Sequence, residues 1–552
     1  MIPVEKNKTY KVKITAMSSD GNGIAKIDGY TIFVPYSVPG DELEVLIVKV
    51  NSSHSFAKIQ SIIVSSPNRT TPKCEAFFKC GGCNMQHLKY SCQLQIKEQF
   101  VNDAIKRIGG FKDFQLNGLL GAEQPFSYRN KMVFPFGKDK NNEIVYGFYR
   151  ARSHDIVPLT SCSLGDCVNS QILKAVKTHM DNYNIQPYDE KTHSGLVRRV
   201  FTRKSYHTEE IMVVISVNGD VLPKSKHLIK QLLSDNSKIS SIILNINKNR
   251  NNLVLGDKNT VLFGKSSIHD LLCGFDYEIS PNSFFQINPQ QTEKLYKTAI
   301  EYADIKKDDT VMDIYCGIGT ISLCAAKYAK KVIGIEIVDA AIENAKENAK
   351  RNNIKNAEFY ASDAQTLVPK LIKNGISPDI IILDPPRKGS DPETLSAAAS
   401  SNPRKIVYVS CNPATLARDI KYLSTLGYFP EAGTAVDMFP NTSHVETVVL
   451  LSQLKQKPDD YINVTIELDD MDITSAETKA TYDEIKKYVA EHNAGMKVSN
   501  LYISQVKRKC GIEVGKNYNL PKNEDSRQPQ CPEDKESAIV EALKHFKMIQ
   551  KN

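Results

Sequence analysis

Hydrophobic and polar positions alternate from residue 1 to about residue 60, in runs such as TYKVKITAM, GYTIFV and DELEVLIVKV. Glycine and aspartate stand between these runs, as they do at turns. A period of two is typical of short strands that bury one face and expose the other. The pattern therefore predicts a small antiparallel β-barrel, OB-like in type, at the start of the chain.

The pattern changes between residues 305 and 450, where apolar runs alternate with helical stretches. The apolar runs are TVMDIY, KVIGIEI, DIIILDPP, KIVYVSC and ETVVLLS, and helical stretches such as ISLCAAKYAK and VDAAIENAKENAKRN lie between them. Nearly continuous apolar strands separated by helices indicate a mostly parallel sheet with helices on both faces. The fold class predicted for residues 276–454 is α/β, with a doubly wound, Rossmann-like sheet.

Two further regions complete the predicted organisation. Residues 61–275 form a mixed α+β region that contains a cysteine cluster. After Leu454 the run KQKPDDY is typical of a linker, and residues 459–552 form a lysine-rich appendage with its own helical patterns. The appendage is predicted to be a small helix–turn–helix-like module with affinity for nucleic acid, and a protein-interaction module is the alternative. We thus expect four domains: 1–60, 61–275, 276–454 and 459–552.

Composition narrows the class of protein. The 552 residues are 41% hydrophobic and 24% charged, as in soluble globular proteins. No apolar stretch approaches the length of about 18 residues that a membrane span needs, and the N-terminus has no apolar signal core, so we expect a cytoplasmic protein without a membrane partner. The net charge of +8 suits a polyanionic partner without requiring one.

Several residues in the α/β region suggest a nucleoside cofactor. Gly317 and Gly319 lie where the first strand turns into the first helix, and glycines there let the backbone approach a ligand closely. A tight turn without a ligand is the alternative. Glu336 ends the next strand, where a carboxylate accepts both ribose hydroxyls. The segment has no Walker-type lysine, so S-adenosylmethionine, whose sulfonium carries no phosphate, fits better than a dinucleotide. Asp363 either bonds the adenine amino group or caps a helix.

Candidate catalytic groups follow later strands of the same sheet. Asp384, before two prolines, and Cys411 end neighbouring strands at the edge where ligands bind. The amides of the helix after Cys411 are expected to lower the thiol's pKa, and a buried structural cysteine is the alternative. His444 and Glu446 precede the last strand in a loop that returns to this edge, where Glu446 is either a base opposite the thiol or a solvated acid. Asp-Pro-Pro is also typical of enzymes that methylate exocyclic amino groups.

Four motifs make the prediction specific. SPNSFFQIN, LDPPRKG, SCNPATLARD and DMFPNTSHVE occur in the order and spacing of the RNA uridine-5-methyltransferases, a family that the chain resembles from residue 1 to about residue 453. The resemblance is strongest to bacterial 23S ribosomal RNA uracil-5-methyltransferases. It implies a class I methyltransferase domain in which Cys411 attacks carbon 6 of uracil and Glu446 removes the carbon-5 proton. The implied contacts of S-adenosylmethionine are Gln286, Tyr315, Glu336 and Asp384, with Thr320 and Asp363 as further candidates.

The resemblance also implies the partner. The N-terminal segment is similar to the TRAM domain, an RNA-binding barrel whose candidate contacts here are Lys6, Lys8, Tyr10, Lys11 and Lys13. Phe284 is a candidate to stack on a base that has left its stack, or else a core aromatic. We expect a monomer that methylates 23S ribosomal RNA, with transfer RNA as the alternative. The remaining alternatives are a base amino-methyltransferase and a non-catalytic, redox-sensing RNA-binding protein.

Twelve cysteines in a cytoplasmic chain favour metal or catalytic use of a few of them over a disulfide framework. Cys74, Cys80 and Cys83 form the pattern C-x5-C-G-G-C, and Cys162 follows much later, with Cys167 as an alternative fourth ligand. Three close thiols and a remote fourth suit a [4Fe–4S] cluster better than Zn²⁺, which usually takes two close pairs. The resemblance favours the cluster further, in a structural or RNA-contacting role.

Overall fold

The computed structural model of the chain describes residues 2–453 except 152 and 252, and residues 482–548 except 494, 511, 513–530 and 547. It divides into two compact units, Met1–Lys457 and Pro458–Asn552. The predicted linker KQKPDDY lies outside the described residues. Within the described parts, no helix is long and apolar enough to span a membrane.

The first sheet of the large unit contains six strands in the order β1-β5-β6-β4-β3-β2. Its strands are β1 (Thr9–Lys13), β2 (Ala16–Met17), β3 (Asn22–Ile27), β4 (Tyr30–Pro35), β5 (Glu42–Val50) and β6 (His54–Val64). Alternate residues of these strands are buried around a core that includes Val12, Ile32 and Leu43. The alternation in the sequence predicted these strands, but the sheet is not wholly antiparallel, because β4 and β6 pair in parallel.

A cysteine-rich loop and helix α1 (Tyr90–Ala104) connect this sheet to the central one; α1 continues as a π-helical turn, Ile105–Gly109. The central sheet has the order β10-β9-β8-β11-β12-β13-β14. Its strands are β8 (Lys131–Lys138), β9 (Ile144–Tyr149), β10 (Ile156–Pro158), β11 (Val197–Lys204), β12 (Ile211–Val217), β13 (Ile239–Ile246) and β14 (Lys258–Gly264). Helices α2 (Val168–Asn182) and α3 (Ser225–Asp235) pack against it in one core. A hairpin, β15 (Ile268–Leu272) and β16 (Phe275–Ile279), follows.

The third sheet has the order β19-β18-β17-β20-β21-β23-β22-β7. Its strands are β17 (Thr310–Ile314), β18 (Lys331–Glu336), β19 (Ala357–Ala361), β20 (Ile380–Leu383), β21 (Lys405–Ser410), β22 (Tyr428–Val436), β23 (Glu446–Gln453) and, from the central region, β7 (Leu119–Leu120). Strands β17 to β21 run parallel, whereas β23 lies antiparallel between β21 and β22. The direction of strand order changes at β17, which pairs with both β18 and β20, and ligands bind at such a point.

Helices cover both faces of the third sheet, as the apolar strands predicted. They are α4 (Pro289–Ala303), α5 (Thr320–Ala326), α6 (Asp339–Arg351), α7 (Ala364–Lys373), α8 (Pro392–Ser400) and α9 (Pro413–Thr425). One core contains residues of α4, α5 and α6, and the other contains residues of α7, α8 and α9 together with Val101 and Ile105 from the end of α1. The doubly wound α/β fold is confirmed.

The described residues of the second unit form helices α10 (Tyr482–His492), α11 (Asn500–Lys509) and α12 (Glu533–His545) around a core of their own, which includes Ile485, Ile503 and Ile539. The last turn of α11 is basic. One of its lysines, Lys509, is paired with Glu536 of α12 at 2.7 Å, so part of this charge is neutralised within the unit. A helix–turn–helix role for the unit stays a prediction.

Candidate active site

The loop between β17 and α5 leaves open space at the carboxyl edge of the third sheet. Tyr315, Gly317 and Gly319 all have positive φ angles, of 70°, 55° and 83°. A Cβ atom on Gly319 would lie 3.1 Å from the ring of Phe359, whereas a Cβ atom on Gly317 would have no atom within 4 Å. Gly319 is therefore required for packing, and the backbone at Gly317 faces space that a ligand can occupy.

Glu336 ends β18 beside this loop. One of its carboxylate oxygens, Oε1, accepts hydrogen bonds from the backbone N–H groups of Ile337 (2.9 Å) and Val338 (3.1 Å). These bonds fix the carboxylate while no hydrogen bond engages its second oxygen in the described structure. A fixed carboxylate at this point of an α/β sheet can bind ribose hydroxyls.

The other residues predicted to contact the cofactor differ in their surroundings. The hydroxyl of Tyr315 shares a hydrogen bond with Ser390 at 2.9 Å, and that of Thr320 shares one with Tyr296 at 3.0 Å. The backbone carbonyl of Gln286 accepts a hydrogen bond from the side-chain amide of Asn130 at 2.9 Å. Asp363 caps α7 and accepts from the backbone N–H of the second residue of that helix at 3.0 Å. The capping role of Asp363 is thus present in the structure, and an adenine contact stays a prediction.

Phe284 and Phe285 face opposite ways. The ring of Phe284 is 66% exposed, whereas Phe285 is 2% exposed and packs against Tyr277. Phe285 therefore provides the core aromatic of the SFFQ run, and Phe284 is available for contact with a partner.

Three buried carboxyl groups converge on this edge. Burial raises the pKa of Asp313 and of Asp384 to about 7, and the charge of Asp384 contributes further to the shift of Asp313. Burial, followed by the charge of Asp384, raises the pKa of Glu446 to about 8, although the Arg387 guanidinium opposes this shift. The hydroxyl of Ser322 donates to one oxygen of Asp313 at 2.5 Å, and the other oxygen is buried without a partner. The site thus favours cationic ligands and neutral acids.

Strand register brings Cys411 and Glu446 together. Ser410 of β21 pairs with Thr447 of the antiparallel strand β23, so the residues just beyond this pair, Cys411 and Glu446, face each other across the strand ends. Glu446 was expected in a loop, as either a base opposite the thiol or a solvated acid. It is instead the first residue of β23 and 5% exposed, so it is not a solvated acid. The reason is that β23 is an interior strand, which buries both its faces.

The pKa of Cys411 also differs from expectation. Burial, followed by the charge of Glu446, raises it to about 11, whereas a helix N-terminus was expected to lower it. The start of α9 has few free N–H groups that could stabilise the thiolate. Pro413 has no N–H, and the N–H of Ala414 donates to the side chain of Asn412, which caps the helix, at 3.0 Å. The Arg387 guanidinium is the charge that favours the thiolate.

Comparison with known proteins identifies the family. A model described as tRNA (Uracil-5-)-methyltransferase matches residues 256–454, and a TRAM domain model matches residues 3–59. The chain is 46% identical over 456 residues to an uncharacterized RNA methyltransferase of Clostridium tetani, with 83% of this chain and 99% of the relative covered. The chain belongs to the RNA uracil-5-methyltransferase family. It is therefore an S-adenosylmethionine-dependent RNA methyltransferase with an N-terminal TRAM domain.

Other similarities support the assignment to the RNA uracil-5-methyltransferases. An uncharacterized RNA methyltransferase of Clostridium acetobutylicum is 43% identical, with 82% of this chain and 99% of the relative covered. The solved tRNA (uracil-54, C5)-methyltransferase of Pyrococcus abyssi, in complex with S-adenosyl-L-homocysteine, is 30% identical with a TM-score of 0.65, and the match covers 80% of this chain and all of that chain. A model described as DNA methylase matches residues 70–347, a range that ends before both Asp384 and Cys411.

In this RNA methyltransferase four thiols lie close enough for their charges to act on one another, those of Cys74, Cys80, Cys83 and Cys162. Charge on Cys162 acts on both Cys80 and Cys83, and burial raises the pKa of Cys83 to about 12. Cys167 is exposed, and its thiol is directed to Asp166, so Cys162 is the remote cysteine that joins the group. Among the residues that the structure describes, no group of three or more cysteine, histidine or acidic side chains has the geometry to hold a metal ion.

Two residues of this site escaped the sequence-based prediction. Arg387 directly follows Asp-Pro-Pro and acts on both Cys411 and Glu446. Asp313 lies four residues before Gly317, in the strand that leads to the glycine loop. The signal for Asp313 was an acid inside an otherwise apolar strand, and the signal for Arg387 was its place in a motif already noted.

Proposed function

We propose that this RNA methyltransferase modifies carbon 5 of a uridine through a covalent bond between the sulfur of Cys411 and carbon 6 of the base. The observation that carries the proposal is the placement of Cys411 opposite the buried carboxyl group of Glu446, at the edge that also holds Asp384. A nucleophile and a base that approach one pyrimidine ring from neighbouring strand ends are what this chemistry requires.

Each step of the proposed reaction has a group to perform it. The thiolate of Cys411 forms a bond to carbon 6, and the electron pair of the carbon 5–carbon 6 double bond moves toward carbon 4 and its oxygen. Carbon 5 then attacks the methyl group that S-adenosylmethionine supplies, and the methyl–sulfur bond breaks with its electrons staying on sulfur. Glu446 takes the proton from carbon 5, the double bond re-forms, and the bond to Cys411 breaks, which returns the thiolate.

The pKa values of the two groups fit this order of events. In the free protein the charge of Glu446 disfavours ionisation of the Cys411 thiol. Burial and the charge of Asp384 hold the pKa of Glu446 at about 8, so its carboxyl group is mostly neutral near pH 7 and does not oppose the thiolate during the attack. Arg387 favours the charged form of both groups and so assists both the attack and the proton removal.

The cofactor end fits S-adenosylmethionine. Glu336 offers a fixed carboxylate for the ribose, the backbone at Gly317 faces open space, and the buried carboxyl group of Asp384 favours a cation nearby. The proposed contacts are Gln286, Tyr315, Thr320, Glu336, Asp363 and Asp384. Phe284, which is exposed, is proposed to stack on a base that has left its stack.

The proposed substrate is 23S ribosomal RNA, on the basis of the TRAM barrel and the cysteine cluster together. Transfer RNA is the second candidate, because the similar enzyme of Pyrococcus abyssi is a tRNA uracil-54 methyltransferase. Mapping 5-methyluridine in both RNAs from a strain that lacks this protein distinguishes the two: the missing nucleotide identifies the substrate, and an unchanged 5-methyluridine content in both overturns the proposal.

The covalent step is tested with RNA that contains 5-fluorouridine. Fluorine at carbon 5 cannot leave as a proton does, so the final elimination is blocked and the wild-type protein should remain bound to RNA in a denaturing gel. Cys411→Ala should form no such band and should methylate no RNA. Cys92→Ala, which removes a buried thiol packed near Met85 and Leu88, is the control and should behave as wild type. Methylation by Cys411→Ala would contradict the mechanism.

We also propose a [4Fe–4S] cluster on Cys74, Cys80, Cys83 and Cys162. Its support is the closeness of these thiols, of which Cys80 is buried and the others are half-buried. In addition, N–H groups are directed at two of the sulfurs: Gly82 donates to Cys80 and Gln86 to Cys83, both at 3.3 Å. Protein purified without oxygen should show about four irons per chain and a visible absorption band. Cys162→Ser should lose both and Cys167→Ser should keep them, whereas zinc without iron would refute the assignment.

A further inference from the structure

Asn84 joins three parts of the large unit. It directly follows Cys83 in the cysteine-rich loop, and its amide Nδ2 donates to the carbonyl of Asp20 (3.0 Å), in the turn between β2 and β3 of the barrel, and to Ser443 Oγ (3.1 Å). Its Oδ1 accepts from the backbone N–H of Ser443 at 2.9 Å. The backbone N–H of Asn84 also donates to the carbonyl of Asn441 at 3.3 Å. One side chain thus links the barrel, the cysteine-rich loop and the segment that leads to Glu446.

The barrel side of this junction is closely packed. Gly21 lies in the β2–β3 turn with φ of 76°, and a Cβ atom on it would come within 2.5 Å of the Asn84 amide nitrogen. The same turn lies close to the segment that precedes Glu446, since Asn84 Nδ2 bonds both the carbonyl of Asp20 and Ser443 Oγ. Movement of the barrel turn would therefore reach the Asn441–His444 segment through Asn84.

The segment 437–444 leads into β23 and has no strand or helix of its own. Side chains from other elements hold it: Lys97 and Tyr90 bind Asp437, Gln93 binds Asn441, and Tyr128 donates to the carbonyl of Pro440. These side chains hold residues 437, 440 and 441. Asn84 instead holds Ser443, which lies only three residues before Glu446. Asn84 is thus the side-chain anchor that stands nearest in sequence to the proposed base.

We propose that Asn84 is a positioning residue for proton removal, which sets the place of the 441–444 segment, and through it of Glu446, relative to the barrel that receives the RNA. The inference rests on the proposed role of Glu446 as the base. It concerns the second half of the reaction, because Cys411 is placed by β21 and by the start of α9, neither of which Asn84 contacts. Loss of Asn84 therefore slows the release of the methylated RNA more than the attack on carbon 6.

The experiment measures the covalent complex formed with ordinary RNA. Asn84→Ala should accumulate a methylated protein–RNA adduct in a rapid-quench assay, with turnover reduced by up to about 100-fold, the loss expected when a catalytic group is misplaced by about 1 Å. The rate of adduct formation and the affinity for S-adenosylhomocysteine should stay within about twofold of wild type, because the substitution changes neither Cys411 nor the proposed cofactor contacts. Asn84→Asp keeps the oxygen that accepts from the N–H of Ser443, so it should accumulate less adduct than Asn84→Ala.

Two further variants separate positioning from a general loss of stability. Gly21→Ala pushes on the Asn84 amide from the barrel and should also accumulate adduct. Asn356→Ala removes two comparable bonds, from Asn356 Nδ2 to the carbonyls of Ala326 and Ala329 (both 2.9 Å), and should accumulate none. If Asn84→Ala lowers adduct formation and release equally, or only lowers stability as Asn356→Ala does, the inference is wrong. If the wild-type protein forms no adduct even with 5-fluorouridine RNA, the proposed function fails and takes the inference with it.

Discussion

Three acidic residues of this RNA methyltransferase have unusually high pKa values: Asp313, Asp384 and Glu446. Each carboxyl group is buried and has its pKa raised to about 7 or 8. A buried acid with a raised pKa destabilises the fold when it ionises, because the unfolded chain solvates the charge better. The fold therefore becomes less stable as these acids lose their protons.

Glu446→Gln should make the protein more stable in mildly alkaline solution. In the folded protein the pKa of Glu446, about 8, lies above the ordinary glutamate value of 4.5. The wild type therefore loses stability as pH rises from about 4.5 to 8, whereas the amide has no proton to lose. Each pKa unit is equivalent to about 1.4 kcal/mol, so we expect a gain of up to about 4 kcal/mol at pH 8.

Urea unfolding of both proteins at pH 5 and pH 8 provides the measurement. The difference in the free energy of unfolding should be small at pH 5 and large at pH 8. Glu347→Gln, on an exposed glutamate of α6, is the control and should show no such pH dependence. A variant that is less stable than wild type at pH 8 would show that the Glu446 carboxylate stabilises the fold.

At the scale of elements, helix α1 and the segment 437–444 depend on each other. Lys97 of α1 is fully buried and donates to Asp437 Oδ1 at 2.5 Å and to the carbonyl of Phe439 at 3.0 Å. The hydroxyl of Tyr90 donates to the other oxygen of Asp437 at 2.8 Å. Burial lowers the pKa of Lys97, and Asp437 opposes this shift. The helix from the central region thus holds the segment that leads to the proposed base.

Lys97→Met should destabilise the large unit by about 3–5 kcal/mol, because it leaves the buried Asp437 without its cation. The double variant Lys97→Met/Asp437→Asn should recover part of this loss, since both charges are then gone. Chemical denaturation measures both effects. Lys177→Met, in the exposed pair of Lys177 and Asp181 on α2, should change stability by less than about 1 kcal/mol. If Lys97→Met and Lys177→Met lower the stability equally, the segment 437–444 does not depend on its contacts with α1.

At the scale of the whole molecule, the chain consists of a unit that matches its RNA methyltransferase relatives and a second unit that follows it. The relatives in Clostridium tetani and Clostridium acetobutylicum align over 456 residues, about the length of the unit Met1–Lys457, and 99% of each relative is covered. The second unit has its own core around Ile485, Ile503 and Ile539. The proposed methyl transfer uses residues of the first unit alone.

A chain that ends at Lys457 should therefore fold, bind S-adenosylhomocysteine with unchanged affinity and methylate RNA at a rate within about threefold of the full chain, a change of about 0.7 kcal/mol. Calorimetry and incorporation of a labelled methyl group measure these properties. If the truncated chain binds S-adenosylhomocysteine normally but needs far more RNA for the same rate, the second unit takes part in RNA binding, as its predicted affinity for nucleic acid suggests. Failure to fold would contradict the independence of the two cores.

The sequence by itself determined the class of fold and the main candidate residues. Alternation in the first strands predicted the barrel, and apolar strands separated by helices predicted the doubly wound sheet. Motifs around Cys411 and Asp384 predicted the family, which the comparisons confirm. These features are local, because the period of a strand or helix and the residues of a loop record which face of an element is buried and where the backbone must turn.

Only the tertiary structure decided how these elements meet. It placed β23 in the interior, which buries Glu446, and it brought Cys162, and not Cys167, to the other cysteines. It also reversed the expected direction of the pKa shift of Cys411, because burial and charges from distant parts of the chain outweigh a capped helix. Burial and electrostatics depend on residues far apart in sequence, and no local pattern contains their distances.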